Sequence, residues 1–104
     1  SNASKIKKLN NNKKYIEKYG AVSPEVVKQM TIKLSKIENT NLSIATTGIA
    51  GPTGQTKNKP LGLVYIGIKY NKKLFIFKKK FKGSRIQIQK KTVNFIFSKI
   101  EELI

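Results

Sequence analysis

The chain reads as an α/β domain with helices on both sides of a mixed sheet, a three-layer α/β/α arrangement. Three observations carry that expectation. Two segments, one near each end, combine a strong helix start with apolar residues at spacings of three and four. Between them lie a near-continuous apolar run at 61–68 and an alternating run at 74–80, which suit one strand covered on both faces and one half-exposed strand. The order helix, strands, helix then places a helical layer on each side of the sheet. At 104 residues with 38% hydrophobic content, residues 1–104 make one domain with one modest core.

Each element has its own signal. Ser1-Asn2-Ala3 looks like the remnant left by tag cleavage. Residues 5–14 are polar and read as a loop or frayed helix end, and 15–19 as a short helical turn stopped by Gly20. Ser23-Pro24-Glu25 is a strong helix start, with a hydroxyl N-cap, proline at the first helical position and an acid in the first turn. Val27, Met30, Leu34 and Ile37 follow as one buried stripe, Met30 being core filler, and the helix ends near Asn39. Residues 42–46 read as a short buried strand, 47–60 as a loop with three glycines and two prolines, and 61–68 as the next strand. A turn at 70–73 leads to an antiparallel strand at 74–80, with Phe75, Phe77 and Phe81 on one face and Lys78 and Lys80 on the other. Ser84 with Gln87 forms a capping box for the last helix, whose apolar face is expected from Val93, Ile96, Phe97, Ile100 and Leu103. There is no internal repeat and no coiled-coil heptad.

Composition removes most chemistries. The absence of Cys excludes disulfides and thiol nucleophiles, and the absence of His excludes a histidine base or a zinc site. The only acids are Glu17, Glu25, Glu38, Glu101 and Glu102, on helical stretches or at the C-terminal end, so a catalytic carboxylate pair is not expected. Hydroxyls, lysines, one arginine and backbone amides remain. The longest apolar run is far too short to span a bilayer and the start carries no apolar stretch, so neither a membrane segment nor a secretory signal is expected, and the chain is placed in the cytoplasm.

The net charge of +17 would attract nucleic acid or an anionic surface. The lysines, however, are scattered along the whole chain and accompany abundant Asn and Ile, so compositional bias explains them better than a selected nucleic-acid surface. Against that bias one residue stands out: of 22 basic residues only Arg85 is arginine. It sits in the first turn of the last helix, where free amides already favour an anion and where its own charge opposes the helix dipole. Guanidinium grips phosphate in a two-pronged geometry that lysine cannot copy, which points to phosphate binding at Arg85.

The second informative element is Thr46-Thr47-Gly48-Ile49-Ala50-Gly51-Pro52-Thr53-Gly54. It follows a strand directly, and glycines at spacings of three let the backbone turn sharply and approach a ligand, with amides available to form an anion-binding nest. It lacks the Gly-Lys-Ser/Thr ending of a P-loop and the following helix of a dinucleotide fingerprint. Read from residues alone it is either a phosphate- or carbonyl-binding turn or a plain long connection.

The string Thr47-Gly48-Ile49-Ala50-Gly51-Pro52-x-Gly54, followed by Lys59-Pro60-Leu61-Gly62, resembles the central motif of the CinA C-terminal domain family. Gly20-Ala21-Val22-Ser23 before one helix and Phe81-x-Gly83-x-Arg85 before the last resemble its flanking motifs, in order. Lys5-Ile6-x-x-Leu9 resembles the end of a Tyr-Ser-Asn-x-x-Lys-x-x-x-Leu stretch, and Ser1, Asn2 and Lys5 fit it, so the apparent tag is equally readable as native sequence.

The resemblance implies hydrolysis of the amide of nicotinamide mononucleotide to nicotinate mononucleotide and ammonia. It implies a serine nucleophile assisted by a lysine, no metal, no cofactor and a homodimer. By carry-over Lys5 is the activating lysine, Thr46, Thr47 and the residues Gly48, Ile49, Ala50, Gly51 and Gly54 hold the substrate or the oxyanion, and Arg85 holds the phosphate. A lysine base would need its pKa lowered by burial or neighbouring positive charge. The family's Glu-Ser-Cys-Thr-Gly-Gly nucleophile motif is absent from the 104 residues, as are the helix and strand that precede Lys5 in the family, so the domain is expected to be shortened at its N-terminus and to have little activity of its own. Gln55 replaces a usual glycine, Ser84 a usual aspartate and Leu61 a valine. The alternatives are a basic nucleic-acid-binding module and a degenerate remnant that dimerises or scaffolds a partner.

Overall fold

Ser23 fixes the entry of the longer N-terminal helix. In the computed structural model, which describes residues 13–51 and 54–104, its buried hydroxyl donates to the Gly20 carbonyl at 2.8 Å and accepts from the Val26 amide at 3.2 Å. One side chain thus closes the turn that separates helix α1 (Lys13–Tyr19) from helix α2 (Pro24–Glu38), and Gly20 supplies the left-handed backbone there with φ +84. Ser23→Ala leaves both groups without a partner and is expected to cost about 1–2 kcal/mol in chemical denaturation. At its other end α2 is stopped by Asn39, whose left-handed backbone lets its amide reach the Ser35 carbonyl.

The sheet has three strands in the order β1 (Leu42–Gly48), β2 (Leu63–Tyr70), β3 (Lys73–Lys80). The expected mixed sheet is, among the described residues, antiparallel throughout: Ala45 pairs with Gly67, and Ile66 with Phe77. The connections explain it. Asn71 and Lys72 make a tight hairpin, with Asn71 in the left-handed region at φ 56, and the described residues between 49 and 62 form no helix that could carry the chain across to a parallel neighbour. β2 begins at Leu63 rather than at residue 61, because Gly62 at φ +86 breaks the extended run. β1 continues to Gly48, two residues past the expected strand end.

Strand alternation sends the two faces to different helices. On one face Val64, Ile66 and Ile68 form the buried core with Ile88 of helix α3 (Arg85–Leu103), flanked by Leu42, Ile44, Phe77, Phe95 and Ile96. On the other, Gly67 lies directly beneath Thr31 of α2, so close that a Cβ there would collide with the Thr31 hydroxyl. The three layers follow from this α/β arrangement. α2 buries Val26, Val27 and Thr31, while Met30, Leu34 and Ile37 of the expected stripe are only half-buried.

The last helix corrects the sequence reading. Its capping box is formed as expected, with Gln87 N–H on the Ser84 hydroxyl and the Gln87 side chain on the Ser84 N–H. Its buried residue, however, is Ile88, whereas Val93 and Phe97 of the expected apolar face are exposed. Ile88, Thr92 and Ile96 recur at spacing four and follow the sheet, and Val93 and Phe97 lie about 100° further round the helix from Thr92 and Ile96. The helix therefore carries more apolar surface than the sheet covers.

Candidate functional site

The strand ends build the site. The Ile49 amide donates to the Leu63 carbonyl at 2.8 Å, the Gly62 amide to the Ile49 carbonyl at 2.6 Å, and the Phe81 amide to the Gly62 carbonyl at 2.9 Å. These bonds tie the end of β1, the start of β2 and the exit from β3 into one knot, from which the glycine turn emerges. Gly51, at φ +88, packs against Leu61 so tightly that a side chain on it would strike the Leu61 methyl. Gly48 is restricted in the same way, with the Leu63 carbonyl 2.9 Å from where its Cβ would stand.

Arg85 stands beside this turn. Its guanidinium Nη1 lies 3.4 Å from the Gly51 carbonyl, a long bond that leaves most of its five N–H donors free. The helix start and the glycine turn, 34 residues apart in sequence, are thus neighbours in space. The capping box occupies the amides of Ser84 and Gln87. Those of Arg85 and Ile86, in the first turn, have no partner among the described residues, so they and the guanidinium offer donors to one anion.

Between β1 and α3 opens a cleft of about 260 Å³. Thr46, Gly48 and Ala50 line it from the strand side, Val64 and Ile88 form its floor, and Gln89, Thr92, Val93 and Ile96 its helix wall. It lies below the roughly 300–1,000 Å³ of cavities that enclose drug-sized ligands, so it suits a single ring rather than a whole nucleotide. From Arg85 to Gln89 the helix rises about 6 Å, the separation of a head group at the helix mouth from a ring in the cleft.

The structure does not bring every expected residue to this place. Thr46, Gly48 and Ala50 line the cleft, and Arg85 meets Gly51, the residue next to Ala50 in the chain, without lining the cleft itself. Thr47 alternates to the opposite face of the sheet, where its hydroxyl donates to the Ala21 carbonyl at 2.8 Å. Ile49 contributes its backbone to the strand-end knot, and Gly54 stands in the open at φ +98. Lys5 lies outside the described residues. Gln89 and Thr92, which the sequence reading did not single out, line the cleft wall, the Thr92 hydroxyl donating to the Ile88 carbonyl at 2.8 Å; their spacing of four and seven from Arg85 places them on its face of the helix. Among the described residues no group of His, Cys, Asp or Glu could hold a metal ion, and no helix is long and apolar enough to cross a membrane.

The CinA C-terminal domain model matches residues 1–104. The chain belongs to the CinA family. It is 50% identical over 93 residues to a CinA-like protein of Fusobacterium nucleatum, a match covering 89% of this chain and 22% of that protein. It is 46% identical over 91 residues to a protein of Clostridium kluyveri named as competence-damage inducible, again 22% of the relative's length. The chain therefore spans about a fifth of the length of the curated relatives it matches. Among solved structures it is similar to a CinA superfamily protein of Escherichia coli, with a TM-score of 0.86 at 25% identity over 100% of this chain and 60% of that one. A competence/damage inducible protein of Agrobacterium tumefaciens gives the same TM-score at 28% identity, over 99% of this chain and 64% of that one.

Proposed function

We propose that these residues form the nucleotide-binding part of an amidohydrolase acting on nicotinamide mononucleotide. The observation that carries the reading is the contact of Arg85 with the Gly51 carbonyl, one residue along the chain from Ala50 in the wall of a ring-sized cleft. The phosphate would sit at the guanidinium and the free amides of the first turn of α3, and the pyridine ring against Ala50, Val64 and Ile88. The whole protein's reaction is part of the same proposal: a serine oxygen attacks the carboxamide carbon, ammonia leaves, and water releases nicotinate mononucleotide. The 104 residues contain no Glu-Ser-Cys-Thr-Gly-Gly string, so for them the proposal is binding.

The basic-module reading finds less support. Phe77 and Phe95 pack edge to face at 5.3 Å, and the ammonium groups of Lys79 and Lys99 lie over the Phe95 ring at 5.0 and 5.5 Å. Rings already covered by the chain's own lysines are poor stacking platforms for bases.

A calorimetric comparison of nicotinamide mononucleotide with nicotinamide riboside tests the proposal, because the riboside lacks only the phosphate. The mononucleotide is expected to bind at least about tenfold tighter, the yield of one charge-assisted contact. Equal affinity, or no binding of either, would contradict it.

A further inference from the structure

Three consecutive carbonyls, those of Tyr19, Gly20 and Ala21, are each taken by a side chain from a different part of the chain. The Lys59 ammonium donates to the Tyr19 carbonyl at 3.0 Å, the Ser23 hydroxyl to that of Gly20 at 2.8 Å and the Thr47 hydroxyl to that of Ala21 at 2.8 Å. Ser23 belongs to the cap of α2. Thr47 and Lys59 instead stand on the two limbs of the glycine turn, 26 and 40 residues from the carbonyls they reach. The bend between α1 and α2 therefore holds the glycine turn by both limbs. The Lys59 contact is a fitted one. Lys59 is half-buried, whereas Lys57, two positions earlier, is exposed. Backbone bonds with Thr56 in both directions, at 2.8 and 3.2 Å, fix where its side chain starts. Its ammonium lies against Gly20, where any side chain would strike it. Its acceptor belongs to the last residue of α1, where free carbonyls and the helix dipole favour a cation.

From Lys59 the constraint runs to Arg85. Pro60 follows with its φ locked, so the placing of Lys59 passes along the chain with little slack. Leu61 comes next and packs its methyl on Gly51, whose carbonyl meets the Arg85 guanidinium at 3.4 Å. On its far side Leu61 is held by the strand-end knot, through the Gly62 amide on the Ile49 carbonyl. Removing the Lys59 bond leaves Leu61 fixed from that side alone, and Gly51 loses the firm wall it leans on. Lys59 itself does not line the cleft. We infer, resting on the reading of Arg85 as the phosphate ligand, that Lys59 is a positioning residue for that phosphate grip, acting on Arg85 through Leu61 and Gly51.

Calorimetry with nicotinamide mononucleotide and its riboside tests this on Lys59→Met, on Lys59→Arg, and on Lys59→Met combined with Arg85→Ala. Methionine keeps the unbranched apolar stem and loses the donor. Lys59→Met is expected to raise the dissociation constant of the mononucleotide about three- to tenfold and to leave that of the riboside within about twofold, the size of effect seen between residues coupled through shared contacts. Arginine keeps a charged donor for a single carbonyl, so Lys59→Arg should recover most of the affinity. In the Arg85→Ala chain, Lys59→Met should change mononucleotide binding by less than about twofold, because the group it positions is gone. A phosphate preference that survives Lys59→Met overturns this inference alone. So does an equal loss for both ligands, an arginine variant as weak as the methionine one, or the full loss repeated without Arg85. Equal binding of the two ligands by the unaltered chain overturns the reading of Arg85 as well.

Discussion

Gly62→Ala is expected to destabilise the domain by about 3 kcal/mol or more, a loss of roughly 15 °C in melting temperature at 4–8 °C per kcal/mol. Two effects add. At φ +86 any L residue other than glycine meets backbone strain, which costs about 1–2 kcal/mol. In addition the new methyl would fall on the Phe81 carbonyl oxygen, which is backbone and cannot rotate away. Phe81 is held there by its own amide on the Gly62 carbonyl, so relief requires breaking the knot that joins all three strand ends. Gly54→Ala is the control: it has positive φ as well, but no atom within 4 Å of the added methyl, so about 1 kcal/mol is expected. Equal melting temperatures for the two variants would refute the steric part of the account.

Arg85→Ala is expected to weaken nicotinamide mononucleotide binding by about 1.5–3 kcal/mol, tenfold or more, with the melting temperature unchanged. The guanidinium is exposed and its one hydrogen bond, at 3.4 Å, is long, so the fold depends little on it. Arg85→Lys keeps the charge and loses the fork; it should recover only part of the affinity, since an ammonium cannot make two parallel contacts to one phosphate. Full recovery with lysine would show that the site needs only positive charge. With a net charge of +17, that result would return weight to non-specific anion attraction.

The sequence was most legible where local chemistry decides structure. Ser23-Pro24 and Ser84 with Gln87 marked both long helices because a cap satisfies its own amides whatever surrounds it. The adjacency of Arg85 and the glycine turn was also anticipated, from a resemblance that joined motifs 34 residues apart. Strand direction was not legible, since nothing local in residues 49–62 distinguishes a crossover from a return. Neither was the orientation of α3: apolar residues lie on two sides of it, and only the seating of Ile88 under β2 shows which side meets the sheet. Thr46 and Thr47 look equivalent in sequence, yet strand alternation gives one to the cleft and the other to Ala21. Gln89 and Thr92 could have been found by counting helical turns down from Arg85.

The most direct test is a map of backbone amide shifts on addition of nicotinamide mononucleotide. The account predicts perturbations at Gly48, Ala50 and Gly51 and from Arg85 to Gln89, with the β2–β3 hairpin at Asn71 silent. Shifts confined to the hairpin or spread along the lysines of β3, with the glycine turn and the start of α3 unmoved, would contradict it.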